Sequence, residues 1–169
     1  MKKIFIAIAL LTLVCACTKK QEKSDANVIG KPEIQVQDGR FTPEVMWALG
    51  KMTDKAVSPN GKQIAYTVTY YDMKQNKGNA EIYLIPSEGG EAKRLTTTAQ
   101  SEFNLVWQDD ETLLFCRDND IISMAMKNGH ETVIGTVERG IEGFKLAPDH
   151  KSIVYITTTP VVRPNHLEK

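Results

Sequence analysis

Three copies of one pattern, spaced by roughly forty residues, constrain this chain more than any other feature. The first copy reads S-P-N-G-K-Q-I-A-Y, from Ser58 to Tyr66. W-Q-D-D-E-T-L-L-F (Trp107 to Phe115) follows at a shift of 49 residues, and A-P-D-H-K-S-I-V-Y (Ala147 to Tyr155) at a further shift of 40. The apolar triplets closing the three segments coincide. A turn leading into a strand explains the residue types: Pro59 pre-sets φ at the second turn position, Asn60 suits the next, and Gly61 can take positive φ at the exit. Asp110 and His150 replace Gly61 in the later copies, and both types tolerate positive φ, so the same turn is expected three times. In the strand beyond the first turn, Ile64, Tyr66 and Val68 point to one side.

The second half of the pattern repeats as well. I-Y-L-I-P-S-E-G-G-E-A-K-R-L-T (Ile82 to Thr96) reads as strand, turn and strand. Ile82 to Ile85 is apolar on both sides, which suits a sheet covered on both faces, and Gly89-Gly90 is a two-residue hairpin signal. Ile121 corresponds to Ile82, Asn128-Gly129 to Gly89-Gly90, and Thr132 to Thr136 to the strand Ala92 to Thr96. A period near 40 residues with four short strands per copy is the signature of propeller blades. The predicted fold is therefore all-β: an incomplete β-propeller of about two and a half four-stranded blades over residues 55–160, with blades at about 56–96, 103–136 and 144–160. Two blades and part of a third cannot close a ring, so the arc is expected to be the beginning of something larger. Residues 161–169 are read as a tail.

Upstream of the repeats, Thr42 can cap a helix, Pro43 suits its first position and Glu44 favours its positive end. Val45, Leu49 and Met52 share one face at helical spacing, which predicts a short amphipathic helix within 41–54, with Trp47 in a packing role. Residues 17–40 are polar and aperiodic and read as a flexible tether. The first sixteen residues read as a secretory signal: Lys2 and Lys3 form a positive start, and Ile4 to Val14 is an apolar run too short to span a bilayer. The run ends in Val14-Cys15-Ala16-Cys17, which resembles the lipobox of bacterial lipoproteins. That resemblance implies cleavage before Cys17 and acylation of its thiol, each buried methylene contributing roughly 0.8 kcal/mol to anchoring. The plainer alternative is a signal cut after Ala16 that leaves Cys17 a free thiol. The expected location is the bacterial cell envelope, facing the periplasm, with the membrane reached through the lipid.

Composition serves mainly to exclude. The 21 Lys and Arg balance the 21 Asp and Glu with no basic block, which argues against nucleic acid as a partner. Losing residues 1–16 removes Lys2, Lys3 and no acid, for a net charge of about −2. Apart from Cys17, the processed chain would keep only Cys116, so no internal disulfide is expected. Cys116 follows Leu113-Leu114-Phe115 and reads as a small buried apolar residue.

No G-x-S-x-G nucleophile elbow occurs, and no catalytic residue is assigned. His130, His150 and His166 have no partner histidine at metal-ligand spacing, so no metal site is expected. Gly89-Gly90 lies between strands and not before a helix, which argues against a phosphate loop and leaves no cofactor implied. Asp109, Asp110 and Glu111 are better read as a solvated turn than as a cation site.

The Ser58–Tyr66 and Ile82–Thr96 segments are similar to the blade repeat shared by TolB-type propellers and by serine peptidases of the prolyl oligopeptidase family. The preceding F-T-P-E-V-M-W-A-L-G-K-M-T-D (Phe41 to Asp54), leading into A-V-S-P-N-G-K, resembles the start of the dipeptidyl-peptidase 5-like and acylaminoacyl-peptidase branch. The resemblance covers about Phe41 to Thr159. It implies a propeller that covers an α/β-hydrolase domain and restricts access to short or unfolded peptides. No position here matches that domain's Ser, Asp and His, so the chain itself is expected to lack peptidase activity; its implied partners are peptides and the α/β-hydrolase domain. The alternative is a non-catalytic TolB-like lipoprotein acting as a binding or scaffold module.

Overall fold

The computed structural model describes residues 28–36 and 38–160; the signal segment, Cys17, His166 and the tail 161–169 lie outside the described residues. Among the described residues, three antiparallel sheets follow one another. The first is ordered β1 (Lys51–Val57), β2 (Gln63–Asp72), β3 (Lys77–Pro86) and β4 (Lys93–Arg94). The second repeats that order with β5 (Glu102–Asp109), β6 (Thr112–Arg117), β7 (Asp120–Ala125) and β8 (His130–Thr136). The third holds two strands, β9 (Gly143–Leu146) and β10 (Ile153–Ile156). Each sheet is a simple meander and none closes on itself, as in an incomplete propeller.

Alternation along the strands sets which face meets which neighbour. Ala65 and Thr67 on β2 are fully buried, as is Ile82 opposite Thr67 on β3, and this face meets the second sheet. Ile64, Tyr66 and Val68 share the opposite face, where Tyr66 and Tyr83 are cross-strand partners and stack with ring centroids 5.8 Å apart. On β6 both faces are covered. Leu113 and Phe115 pack back against Ala65 and Ile82, together with Trp107 from β5, while Leu114 and Cys116 pack forward against Ile141 and Phe144. The run Leu113–Cys116 is continuously apolar because it belongs to two cores at once. Burial of each large side chain here contributes about 1.5–3 kcal/mol.

The structure corrects the sequence reading at several points. The predicted helix within 41–54 is shorter: α1 spans Pro43–Ala48, with Thr42 as its cap and Val45 buried. Met52 is not on a helix face but exposed in β1, and Leu49 is also exposed. The switch falls at Gly50, where an added Cβ would lie 2.6 Å from Val68 Cγ1 and 2.8 Å from a Tyr70 ring carbon, so only glycine lets the chain cross β2 so closely. The first sheet consequently begins at Lys51, ahead of the predicted blade start. Gly61 and His150 do take positive φ (70° and 57°), but Asp110 is not among the positive-φ residues. The second copy uses a tighter connection, since Asp109 already pairs with Thr112 and Trp107 lies inside β5 and not in a turn. Gly89 and Gly90 adopt φ of 92° and 124°, yet they sit in a six-residue loop, and β4 is reduced to two residues.

Candidate functional site

The chemistry of this molecule is concentrated in the seams between blades. At the seam between the first and second sheets, Asp54 sits at a β1 bulge and its Oδ2 accepts the Leu105 backbone N–H at 2.8 Å, while Trp107 Nε1–H donates to the Ala56 carbonyl at 3.1 Å. At the next seam Asn104, held at φ 55° in the β5 bulge, clasps Phe144: its Nδ2 donates to the Phe144 carbonyl at 3.0 Å and its Oδ1 accepts the Phe144 N–H at 3.2 Å. These side chains stitch inner strands that have no backbone ladder between them. Gly143 makes room for the second clasp, because a Cβ there would lie 2.7 Å from Asn104 Oδ1. Gly143→Ala is therefore expected to cost about 1–3 kcal/mol, read as a lowered urea midpoint at unchanged slope. Asn104→Ala should mask most of that cost in the double variant, since both act on one contact.

A buried polar network runs along the crossing from β4 to β5. Glu81 on β3 and Glu102 at the start of β5 have no solvent exposure, although both are acids. Glu81 Oε1 accepts from Asn79 Nδ2 at 2.9 Å and from the Thr98 N–H at 3.0 Å, and it lies 3.0 Å from Arg94 Nη2. Glu102 Oε2 accepts the Thr96 hydroxyl at 2.8 Å, and its Oε1 accepts Arg117 Nε–H at 2.8 Å. Arg117 also grips Glu131 on β8 at 2.6 and 3.0 Å, a bidentate pair that holds its guanidinium protonated beyond its ordinary range despite burial. Charged residues are rarely buried unless paired, and here two guanidiniums serve three carboxylates. Burial pushes the Glu102 carboxyl above the ordinary glutamate range, against the pull of Arg117 and the hydroxyls.

The residues singled out in the sequence do not converge. Among the described residues no His, Cys, Asp and Glu group could hold a metal ion. His130 opens β8 and His150 sits in a turn, and both are exposed. Asp109 and Asp110 make turn contacts, Asp109 Oδ1 accepting the Glu111 N–H and Asp110 Oδ1 the Asn60 N–H, each at 2.8 Å. Cys116 is fully buried, and its thiol is pushed up to about 12 by burial, so it is not a nucleophile at neutral pH. Trp47 packs edge-on against Tyr71 at 5.4 Å, with Lys51 Nζ 4.4 Å from its ring centre. The Glu81–Glu102–Arg117 network had no sequence signal, because a lone acid in a strand reads as a solvent-facing position.

The third blade is open on its forward side. At the 40-residue shift, Val154 and Ile156 correspond to Leu114 and Cys116. The earlier pair is 0% exposed, whereas Val154 is 68% and Ile156 63% exposed. They border a shallow groove of about 340 Å³ shared with Asn104, Gly143 and Phe144.

No family model matches the sequence. The chain is 29% identical over 140 residues to dipeptidyl-peptidase 5 of Porphyromonas gingivalis, an alignment covering 77% of this chain and 20% of that protein. It is 25% identical over 142 residues to dipeptidyl-peptidase 5 of Porphyromonas endodontalis, covering 80% and 20% respectively. The sequence is related to the propeller part of the prolyl oligopeptidase family. It spans about a fifth of the length of these curated relatives. The acylaminoacyl peptidase of Pyrococcus horikoshii shares the fold, with a TM-score of 0.53 at 17% identity over 66% of this chain and 18% of that one. A TolB-type structure from Agrobacterium tumefaciens aligns at TM-score 0.49 and 25% identity over 63% of this chain and 38% of that one.

Proposed function

We propose that this chain is the N-terminal propeller portion of a lipid-anchored, periplasm-facing serine dipeptidyl- or oligopeptidase. In this reading the blades wall a chamber and admit peptides by size to a catalytic α/β-hydrolase domain outside the sequence. The observation that carries it is the relation to dipeptidyl-peptidase 5, which takes in more than three quarters of this chain and only a fifth of those proteins. The open forward face of the third blade supports it, since Val154 and Ile156 occupy positions that the preceding blade buries. A second reading, a TolB-like binding or scaffold module completed by strand pairing with another chain, draws on β10, an edge strand among the described residues.

Two assays test the proposal. The purified chain is expected to release no dipeptide from peptide N-termini, and turnover by residues 1–169 alone would contradict the assignment of catalysis to another domain. In cells, Cys17→Ala should move the protein from the membrane fraction to the soluble envelope fraction. Retention of the variant in membranes would overturn the lipid anchor.

A further inference from the structure

Thr98 is the telling residue of the buried network. Its hydroxyl oxygen lies 2.8 Å from the Gln100 carbonyl oxygen and 2.8 Å from Glu102 Oε1. With Glu102 ionised both neighbours are pure acceptors, and a hydroxyl has one proton, so one of the two short contacts lacks a hydrogen. The Thr96 hydroxyl offers no relief. It accepts the Ile82 N–H at 2.8 Å and already spends its own proton on Glu102 Oε2. A proton on Glu102 Oε1 satisfies every contact: Oε1–H donates to Thr98, Thr98 donates to Gln100, and Arg117 Nε–H still finds a lone pair on Oε1.

The charges around the site agree. Glu81 from β3, Arg94 from β4, Arg117 from β6 and Glu131 from β8 face or adjoin Glu102 across the crossing. With all of them ionised the five groups carry one net negative charge, which a single proton neutralises. Glu102 is also fully buried, where a neutral carboxyl is favoured over a charged one.

We propose that Glu102 is a proton-operated switch on the crossing between the first two blades: protonated, it locks the Thr96–Glu102 segment, and ionised, it releases the Thr98–Gln100 turn. The proton is exchanged with solvent, and no other bond forms or breaks. The switch concerns the joint between blades and stands apart from the peptidase reading.

Hydrogen exchange of the full chain, followed on peptides spanning residues 95–102 and corrected for the intrinsic pH dependence of exchange, tests it. Protection of this crossing should be severalfold higher near pH 5 than near pH 8, because the folded state that holds the proton is lost as pH rises. Glu102→Gln cannot titrate: its amide can donate to Thr98 at the cost of the Arg117 Nε–H acceptor, so its protection, whatever its level, should be the same at both pH values. Equal protection of the native crossing at the two pH values would overturn the proposal, as would a variant that follows the native pH dependence. Should the variant not fold, the infrared band of a hydrogen-bonded neutral carboxyl decides on native protein. A band present near pH 5 that disappears toward pH 8 supports the switch, and the absence of such a band refutes it.

Discussion

Phe115→Ala is expected to remove about 3–5 kcal/mol of stability, enough to unfold much of the chain at ambient temperature. Phe115 is fully buried at the centre of the seam that also holds Ala65, Ile82, Leu105, Trp107, Leu113, Ile122 and Met124. It has little scope to be replaced by collapse, because its neighbours belong to two separate ladders, β2–β3 and β5–β7, whose backbones are fixed by their own hydrogen bonds. The loss is therefore both the transfer of a large ring to water and a retained cavity. Urea denaturation followed by circular dichroism reads it directly. Phe115→Leu, which keeps most of the volume, should cost less than half as much. A Phe115→Ala variant within 1 kcal/mol of the parent would mean that the first two sheets do not share a core.

Arg117→Ala is the second large effect, at about 3–5 kcal/mol, because it strips a partner from a buried carboxylate. The guanidinium bonds Glu102 at 2.8 Å and Glu131 at 2.6 and 3.0 Å, and Glu102 is shut off from solvent. The pH dependence has a definite sign. Glu102 binds its proton more tightly folded than unfolded, so the folded state holds the extra proton and the contribution of this group falls as pH rises through its folded value. Without Arg117 the charged form is left less compensated, and the penalty should be larger near pH 8 than near pH 5. A loss that is equal at both pH values would mean that Glu102 does not titrate in the folded protein.

The parts of the fold that were legible in the sequence are those set by local chemistry. Ser58–Gly61 and Ala147–His150 announce their turns through residue type, and the triplets ending at Tyr66, Phe115 and Tyr155 mark the second strand of each blade. Leu113–Phe115 read as a strand with Cys116 a small buried residue after it, as found. What escaped depends on neighbours distant in sequence. Lys51–Asp54 has no strand signature of its own and is extended because Thr67 to Thr69 on β2 offers it a ladder. Asp110 departs from its equivalents because Asp109 and Thr112 pair and shorten the connection. Glu81 and Glu102 are buried because Arg94, Arg117 and the Thr96–Thr98 backbone close over them, a partnership that no local pattern encodes.

The arc itself is best tested by the size distribution of residues 18–169 in analytical ultracentrifugation across a range of concentrations, paired with a thermal melt. Val154 and Ile156 lie bare at one end, and Ile64, Tyr66 and Tyr83 are only partly covered at the other. Both are faces of the kind that the inner seams bury, so concentration-dependent, polydisperse association is expected. Val154→Asp with Ile156→Asp should reduce that association while leaving the sheet signal intact. A monomeric species at every concentration, melting in one cooperative step, would contradict the account of this chain as an open segment of a larger propeller.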